Sequence, residues 1–256
     1  MMNFELPFIP ARDKKPRQKS TTMVIDKGLT SIEAQGIADD CAEYVDFIKI
    51  GFGTSLITPN LKKKIAIYKE AGITPYFGGT LFELFAARNM FNEYQQFLAQ
   101  NNIELAEVSD GTMDMEHNKK LEYIRELKKN FTVISEVGSK DVSVHYTPEE
   151  WITQMQAELN AGSIKVITEA RESGTIGIFN KDGSPNMELI NFISNNIAIE
   201  KIMWEAPLKS QQAMFINLLG VDVNLGNIAT NEIIALESLR MGLRGDTFYK
   251  ILPKDL

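Results

Sequence analysis

The chain has 256 residues, 44% hydrophobic and 24% charged, with 27 Lys and Arg against 34 Asp and Glu for a formal charge of −7. That length supports one large core, close to the roughly 250 residues of an eight-stranded α/β barrel, and the acidic balance argues against nucleic acid or an anionic membrane surface as the main partner. A single cysteine, Cys41, excludes a disulfide framework or a thiolate metal site within the chain; with no apolar run near the ~18–20 residues of a membrane span and no signal-peptide core, a cytoplasmic location is expected.

Residues 1–19 read as a polar arm, with three of the nine prolines and a basic run of Arg12, Lys14, Lys15, Arg17 and Lys19. Such a segment is expected to be solvated, with covering of a barrel end or contact with a neighbouring subunit as alternatives. Residues 20–256 read as one barrel domain. Its β-rich runs centre near Val24, Ile48, Pro75, Ala106, Val133, Val166, Met203 and Val223, and each is followed by a helix-period segment. Eight strands with a helix after each, and no two strands in succession, imply parallel pairing through βαβ units. The expected fold is therefore a single (β/α)8 TIM barrel with a parallel eight-stranded sheet.

The helices carry their own punctuation. Thr30 and Glu33 form a capping box ahead of Ala34, Ala38, Cys41 and Val45. Thr58-Pro59 reads as a cap and first-turn proline before Leu61, Ile65 and Tyr68, and Leu81, Leu84, Phe85, Arg88, Phe91 and Phe97 outline one long helix. Thr147-Pro148 opens the helix of Trp151, Met155 and Leu159, which Gly162 ends.

In a closed parallel barrel the chemistry sits at the carboxyl ends of the strands. The sixth run shows the switch most plainly: Val166–Gly174 passes from buried strand to Glu169, Arg171 and Glu172. Alone, it reads equally as a surface ion cluster. The other ends are similar: Asp26-Lys27-Gly28, Lys49 to Thr54, Phe77-Gly78-Gly79-Thr80, Glu107 to Thr112, Ser135 to Asp141, Trp204-Glu205-Ala206-Pro207 and Asn224-Leu225-Gly226-Asn227. Each brings a charged or amide side chain, a glycine that lets a ligand approach the backbone, or both. Together they imply one polar pocket at the barrel mouth.

Glu107, Asp110, Glu136, Glu169 and Glu205 are hard oxygen donors suited to Mg²⁺, which typically takes one or two carboxylates plus waters and substrate oxygens. Two or three of the five are expected to be ligands; pairing with Lys and Arg is the plainer role for the others. The only histidines, His117 and His145, fall in helix or loop, which argues against zinc. Lys27, Lys49, Lys140 and Arg171 are expected to converge on the same mouth as anion-binding cations. A strand lysine whose pKa burial lowers offers a Schiff base instead. The backbones of Gly78-Gly79-Thr80 and Gly226-Asn227 are candidate phosphate cradles, the second favoured by the usual barrel site after strands seven and eight.

Taken together, D-K-G (26–28), F-I-K-I-G-F-G-T-S (47–55), F-G-G-T-L-F-E (77–83), E-V-S-D-G-T (107–112), S-E-V-G-S-K-D (135–141), I-T-E-A-R-E-S-G (167–174), E-A-P (205–207), N-L-G-N-I (224–228) and L-E-S-L-R-M-G-L-R-G-D-T-F (236–248) resemble the phosphosulfolactate synthase family. The resemblance runs from about Ser20 to Phe248 and leaves the arm outside it. It implies a (β/α)8 barrel that adds sulfite to phosphoenolpyruvate with Mg²⁺, giving (2R)-phospho-3-sulfolactate. In methanogenic archaea that step opens coenzyme M biosynthesis; in bacterial relatives it is thought to supply sulfolactate. It also implies Lys140 as general acid, with an anion counter-charge as its alternative role, and Lys27, Lys49 and Arg171 as binders of phosphate, carboxylate or sulfite. Archaeal members carry two adjacent lysines where this chain has Ser139 and Lys140, so any role of the first is lost or moved. A plant heat-stress-associated branch keeps a non-catalytic barrel as an alternative, and another nucleophile acting on phosphoenolpyruvate is a second. The terminal run is expected to be a helix whose Arg240 and Arg244 pair with carboxylates on the barrel exterior. The sequence leaves a homo-oligomer open.

Overall fold

The strands of the computed structural model are short: β1 (Thr22–Asp26), β2 (Phe47–Ile50), β3 (Thr74–Phe77), β4 (Leu105–Val108), β5 (Thr132–Val137), β6 (Val166–Thr168), β7 (Ile202–Glu205) and β8 (Leu225–Ala229). Each pairs in parallel with the next, and β8 returns to β1, closing the barrel in sequence order. This is the (β/α)8 TIM barrel that the alternation of runs implies. The structure describes residues 3–139, 146–171 and 173–253.

Parallel neighbours need a crossover, and here a helix supplies it each time. The helices are α1 (Ser31–Cys41), α2 (Leu61–Glu70), α3 (Gly79–Ala86), α4 (Phe91–Gln100), α5 (His117–Leu127), α6 (Pro148–Ala161), α7 (Met187–Asn196), α8 (Lys209–Leu219), α9 (Ile233–Arg240) and α10 (Phe248–Ile251). The outward faces of the strands, including Val24, Ile48, Phe77, Ala106 and Val133, join the helices in two large apolar clusters. A smaller cluster of Met23, Tyr76, Leu105, Ile134, Ile167 and Met203 packs inside the barrel, with Phe47 against it.

The caps at Thr30–Glu33 and Thr147–Glu150 form as their spacing predicts, Pro148 opens α6, and Gly162 follows its end with φ +134°. Three boundaries differ. The Thr58 hydroxyl donates to the Thr54 carbonyl at 2.8 Å instead of capping, and α2 starts after Asn60. The long helix through Phe97 is two helices, because Asn89 takes φ +56° between α3 and α4. Its aromatic period survives the break since both pieces cover one surface, where Phe82, Tyr94, Phe85, Phe91 and Phe97 stack. The eighth strand begins at Leu225, after Val223 rather than around it.

The arm lies across the amino-terminal end of the barrel. Arg12 pairs with Glu237, Arg17 Nε stands 3.0 Å from Asp46 Oδ1, and Lys15 Nζ donates to the carbonyls of Ala42 and Val45 at 2.9 and 2.5 Å. Arg240 is a correction to the expected exterior pairing. It is buried under the same end and donates to the backbone carbonyls of Val221 and Val223 at 2.5 and 2.8 Å, because the chain entering β8 leaves those acceptors without strand partners. Among the described residues no helix is long and apolar enough to cross a membrane.

Candidate functional site

Alternation along a strand puts residues i and i+2 on one face. Five strand segments use it alike: Phe47 and Lys49, Leu105 and Glu107, Ile134 and Glu136, Ile167 and Glu169, Met203 and Glu205. The first member of each pair packs in or against the apolar layer inside the barrel. The second lies one step nearer the carboxyl ends, so a charged layer sits on top of an oily one.

That layer is buried; Glu107, Glu136, Glu169 and Glu205 are each 2% exposed or less. Lys49 reaches into it, with Nζ 3.0 Å from Glu107 Oε1, 3.3 Å from Glu136 Oε2 and 3.7 Å from Glu205 Oε1. Burial alone would lower the Lys49 pKa, but the three carboxylates outweigh it and hold the ammonium well above its ordinary value. Burial raises the Glu107 pKa against the pull of Lys49. The Tyr76 hydroxyl, buried in the same layer, is raised by burial and by Glu107. Charge buried at this depth is costly unless it is paired, and Lys49 meets three of the four carboxylates directly.

Ligand atoms of Glu136, Glu169 and Glu205 all lie within 4.8 Å of one another, the one such acidic group among the described residues. Three convergent carboxylate groups fit a hard divalent cation and not a soft one. They form the floor of a mouth cavity of about 460 Å³, whose walls include Ile25, Phe52, Thr80, Thr112, Arg171, Ser173 and Asn227. That volume lies within the range of roughly 300–1,000 Å³ usual for small-molecule sites.

The residues singled out in the sequence divide accordingly. Glu136, Glu169, Glu205, Lys49, Thr80, Arg171 and Asn227 line the cavity. Glu107 lies beneath it, its Oε1 accepting from the Gly79 amide at 2.5 Å and its Oε2 buried without a hydrogen bond. The Gly79 amide serves Glu107, and a Cβ on Gly79 would stand 2.2 Å from Ser109 Oγ. Asp110 is separate from the trio; its Oδ1 accepts from Lys120 Nζ at 2.7 Å, and Lys120 also reaches Glu158 on α6. Lys27 is exposed and lines a neighbouring cleft with Thr30, Thr54 and Asn60. Just past β1, Asp26 Oδ1 takes the amides of Gly28 and Leu29. Lys140, Asp141, His145 and Glu172 lie outside the described residues.

Gly226 and Asn227 are inside β8, not in a loop after it. The register with β1 shifts between Thr22 and Val24, which face Leu225 and Ile228, so β8 carries an extra residue there. Gly226 packs against Met23 and Met203, where a Cβ would come within 2.7 Å. The bulge gives Asn227 φ +58° and brings it to the cavity, with Oδ1 buried and accepting no hydrogen bond. Sequence reasoning missed Tyr76, Phe52, Thr112 and Ser173. The i, i+2 repeat was the available signal for the charged layer as a whole.

Residues 10–246 match the family model for (2R)-phospho-3-sulfolactate synthase. The phosphosulfolactate synthase of Bacillus subtilis is 41% identical over 252 residues, covering 97% of this chain and 100% of that protein. The enzyme of the same name from Methanocaldococcus jannaschii is 41% identical over 240 residues, covering 91% and 96%. The match starts at Pro10, so it takes in half of the arm that the motifs alone leave outside. Among solved structures, a 3-hexulose-6-phosphate synthase superposes with TM-score 0.54 at 16% identity, covering 86% of this chain and 98% of that one. At that identity it speaks for the barrel fold alone.

Proposed function

The chain belongs to the phosphosulfolactate synthase family of enzymes, and from that premise we propose that it adds sulfite to phosphoenolpyruvate, with Mg²⁺ held by Glu136, Glu169 and Glu205. The observation that carries the proposal is the buried trio at the floor of a mouth cavity that Arg171 and Asn227 also line. A cation at the trio would draw off the negative charge that develops on the acceptor's carboxylate.

The chain's own groups have the remaining tasks. Arg171, with a planar fork of donors, suits phosphate or sulfite at the rim. Asn227 offers a fixed amide at the cavity wall, where its strained backbone and neighbouring Ala170 hold it. Lys49 holds Glu136 and Glu205 by their oxygens rather than binding an anion of the substrate. The sulfur lone pair forms the new bond to the methylene carbon while the double-bond pair moves toward the carboxylate. The carbon bearing phosphate then takes one proton, so sulfite plus a proton adds across the double bond and nothing leaves. Lys140 is the proposed donor of that proton by its place in the family motif.

The test is direct. Purified protein with phosphoenolpyruvate, sulfite and Mg²⁺ is expected to form phosphosulfolactate, detected by mass spectrometry, and chelation is expected to stop it. No product at high enzyme concentration would remove the proposal.

A further inference from the structure

Phe52 occupies the left-handed region, with φ +55°. Bulky side chains rarely adopt it, and holding one there costs free energy that a glycine would avoid. The turn around it is closed by the Thr54 amide at 3.2 Å and the Thr54 hydroxyl at 2.7 Å, both donating to the Gly51 carbonyl. Phe52 is thus the first central residue, where turns with positive φ are dominated by glycine. Glycines stand on both sides of it, yet neither takes a left-handed dihedral; Gly53 has φ −100°. The strained dihedral falls on the one residue of the three with a large side chain. The turn also sits tightly on β3, where a Cβ at Gly78 would be 3.4 Å from the Phe52 nitrogen and 3.0 Å from Lys49 Cε.

The strain has a visible destination. Phe52 lines the mouth cavity, whose other described walls are mostly charged or polar; Ile25 and Ala170 are the remaining apolar members. An enol phosphate acid has two anionic groups and one uncharged end, the methylene carbon that must accept the nucleophile. Its anions have partners elsewhere in the cavity, in the acidic trio through a cation and in Arg171. The apolar wall is left for the uncharged end.

We infer that Phe52 is the specificity-determining residue for the acceptor, its ring limiting the methylene end to an unsubstituted carbon. This rests on the cavity being the site for an enol phosphate acid. An added methyl on the acceptor carbon meets the ring. An apolar pocket discriminates one methyl group by about 10- to 200-fold.

The test compares Phe52→Gly and Phe52→Ala with the parent protein. Calorimetry with Mg²⁺ present measures binding of phosphoenolpyruvate and of its analogue with a methyl on the methylene carbon, and sulfite-dependent turnover is followed separately. Both variants are expected to move the ratio of the two affinities by about tenfold or more toward the methylated acid. Only Phe52→Gly relieves the backbone, so its melting midpoint should exceed that of Phe52→Ala. A ratio unchanged in both variants overturns the inference, as does failure of the parent to bind either acid. Binding with the expected ratios but no sulfite turnover would leave Phe52 in its role and sink the proposed reaction instead.

Discussion

Lys49 Nζ lies 3.0 Å from Glu107 Oε1 inside the barrel, a buried ion pair in the same layer as the acidic trio. Lys49 touches two members of the acidic trio as well, so removing its charge leaves buried anions facing one another. Losing one partner of a buried pair typically costs about 3–5 kcal/mol. Lys49→Met is expected to lose stability in that range in urea, and Glu107→Gln in the same chain should restore part of it. Additive losses in the double variant would mean that the two groups are not coupled.

The trio makes a second expectation. Glu136→Gln, Glu169→Gln and Glu205→Gln each remove one anionic ligand oxygen from the trio. Each variant should need more Mg²⁺ for half-maximal activity than the parent. Unchanged Mg²⁺ dependence in all three would place the cation elsewhere.

Lys120 links the site to the outer shell. It is fully buried, pairs with Asp110 and Glu158 at 2.7 and 2.8 Å, and donates to the Glu136 carbonyl at 2.6 Å. Lys120→Met would take this partner from Asp110, leave Glu158 to its 3.3 Å contact with His117, and release the backbone beneath a trio member. A loss of about 3–5 kcal/mol is expected, with a weaker Mg²⁺ response in the fraction that folds. Asp110→Asn should lose far less, because Lys120 keeps Glu158. Equal losses in the two variants would contradict this network.

How much of this was legible in the sequence depends on parity and on strand ends. The barrel was legible because apolar runs and helical periods alternate eight times. Glu136, Glu169 and Glu205 could be nominated because each follows an apolar run, and they converge. Asp110 looked equivalent but lies past the end of β4, where it meets Lys120 on α5. Lys27 shares the inward parity of Ile25, yet the strand has ended at Asp26, whose carboxylate takes the Gly28 amide. Lys49 reads as a cation at the mouth, and its three carboxylate neighbours come from other strands, so its own segment does not announce them. Phe52 carries no chemistry-bearing group, so only its dihedral draws attention to it.

The arm ties down the end of the barrel opposite the site, and its attachment should depend on pH. Lys165 is buried there and donates to the carbonyls of Gln18 in the arm and Glu200 before β7, at 2.6 and 2.5 Å. Its hydrogen bonds go to neutral acceptors, and burial, with Lys201 adding to it, outweighs Asp46 and Glu200 and pushes its pKa down to about 8 from 10.5. The unfolded chain therefore binds more protons than the folded one between about pH 8 and 10.5, and stability rises with pH where that is so. The cost of the buried charge is fully present below pH 8 and is relieved as pH climbs through that window. Urea unfolding of the parent and of Lys165→Met across pH 7 to 10.5 isolates this one group. The parent should gain on the variant as pH rises, while Mg²⁺-dependent activity of the folded variant stays near the parent's at neutral pH. A constant difference across the window would show that Lys165 keeps the same charge in both states.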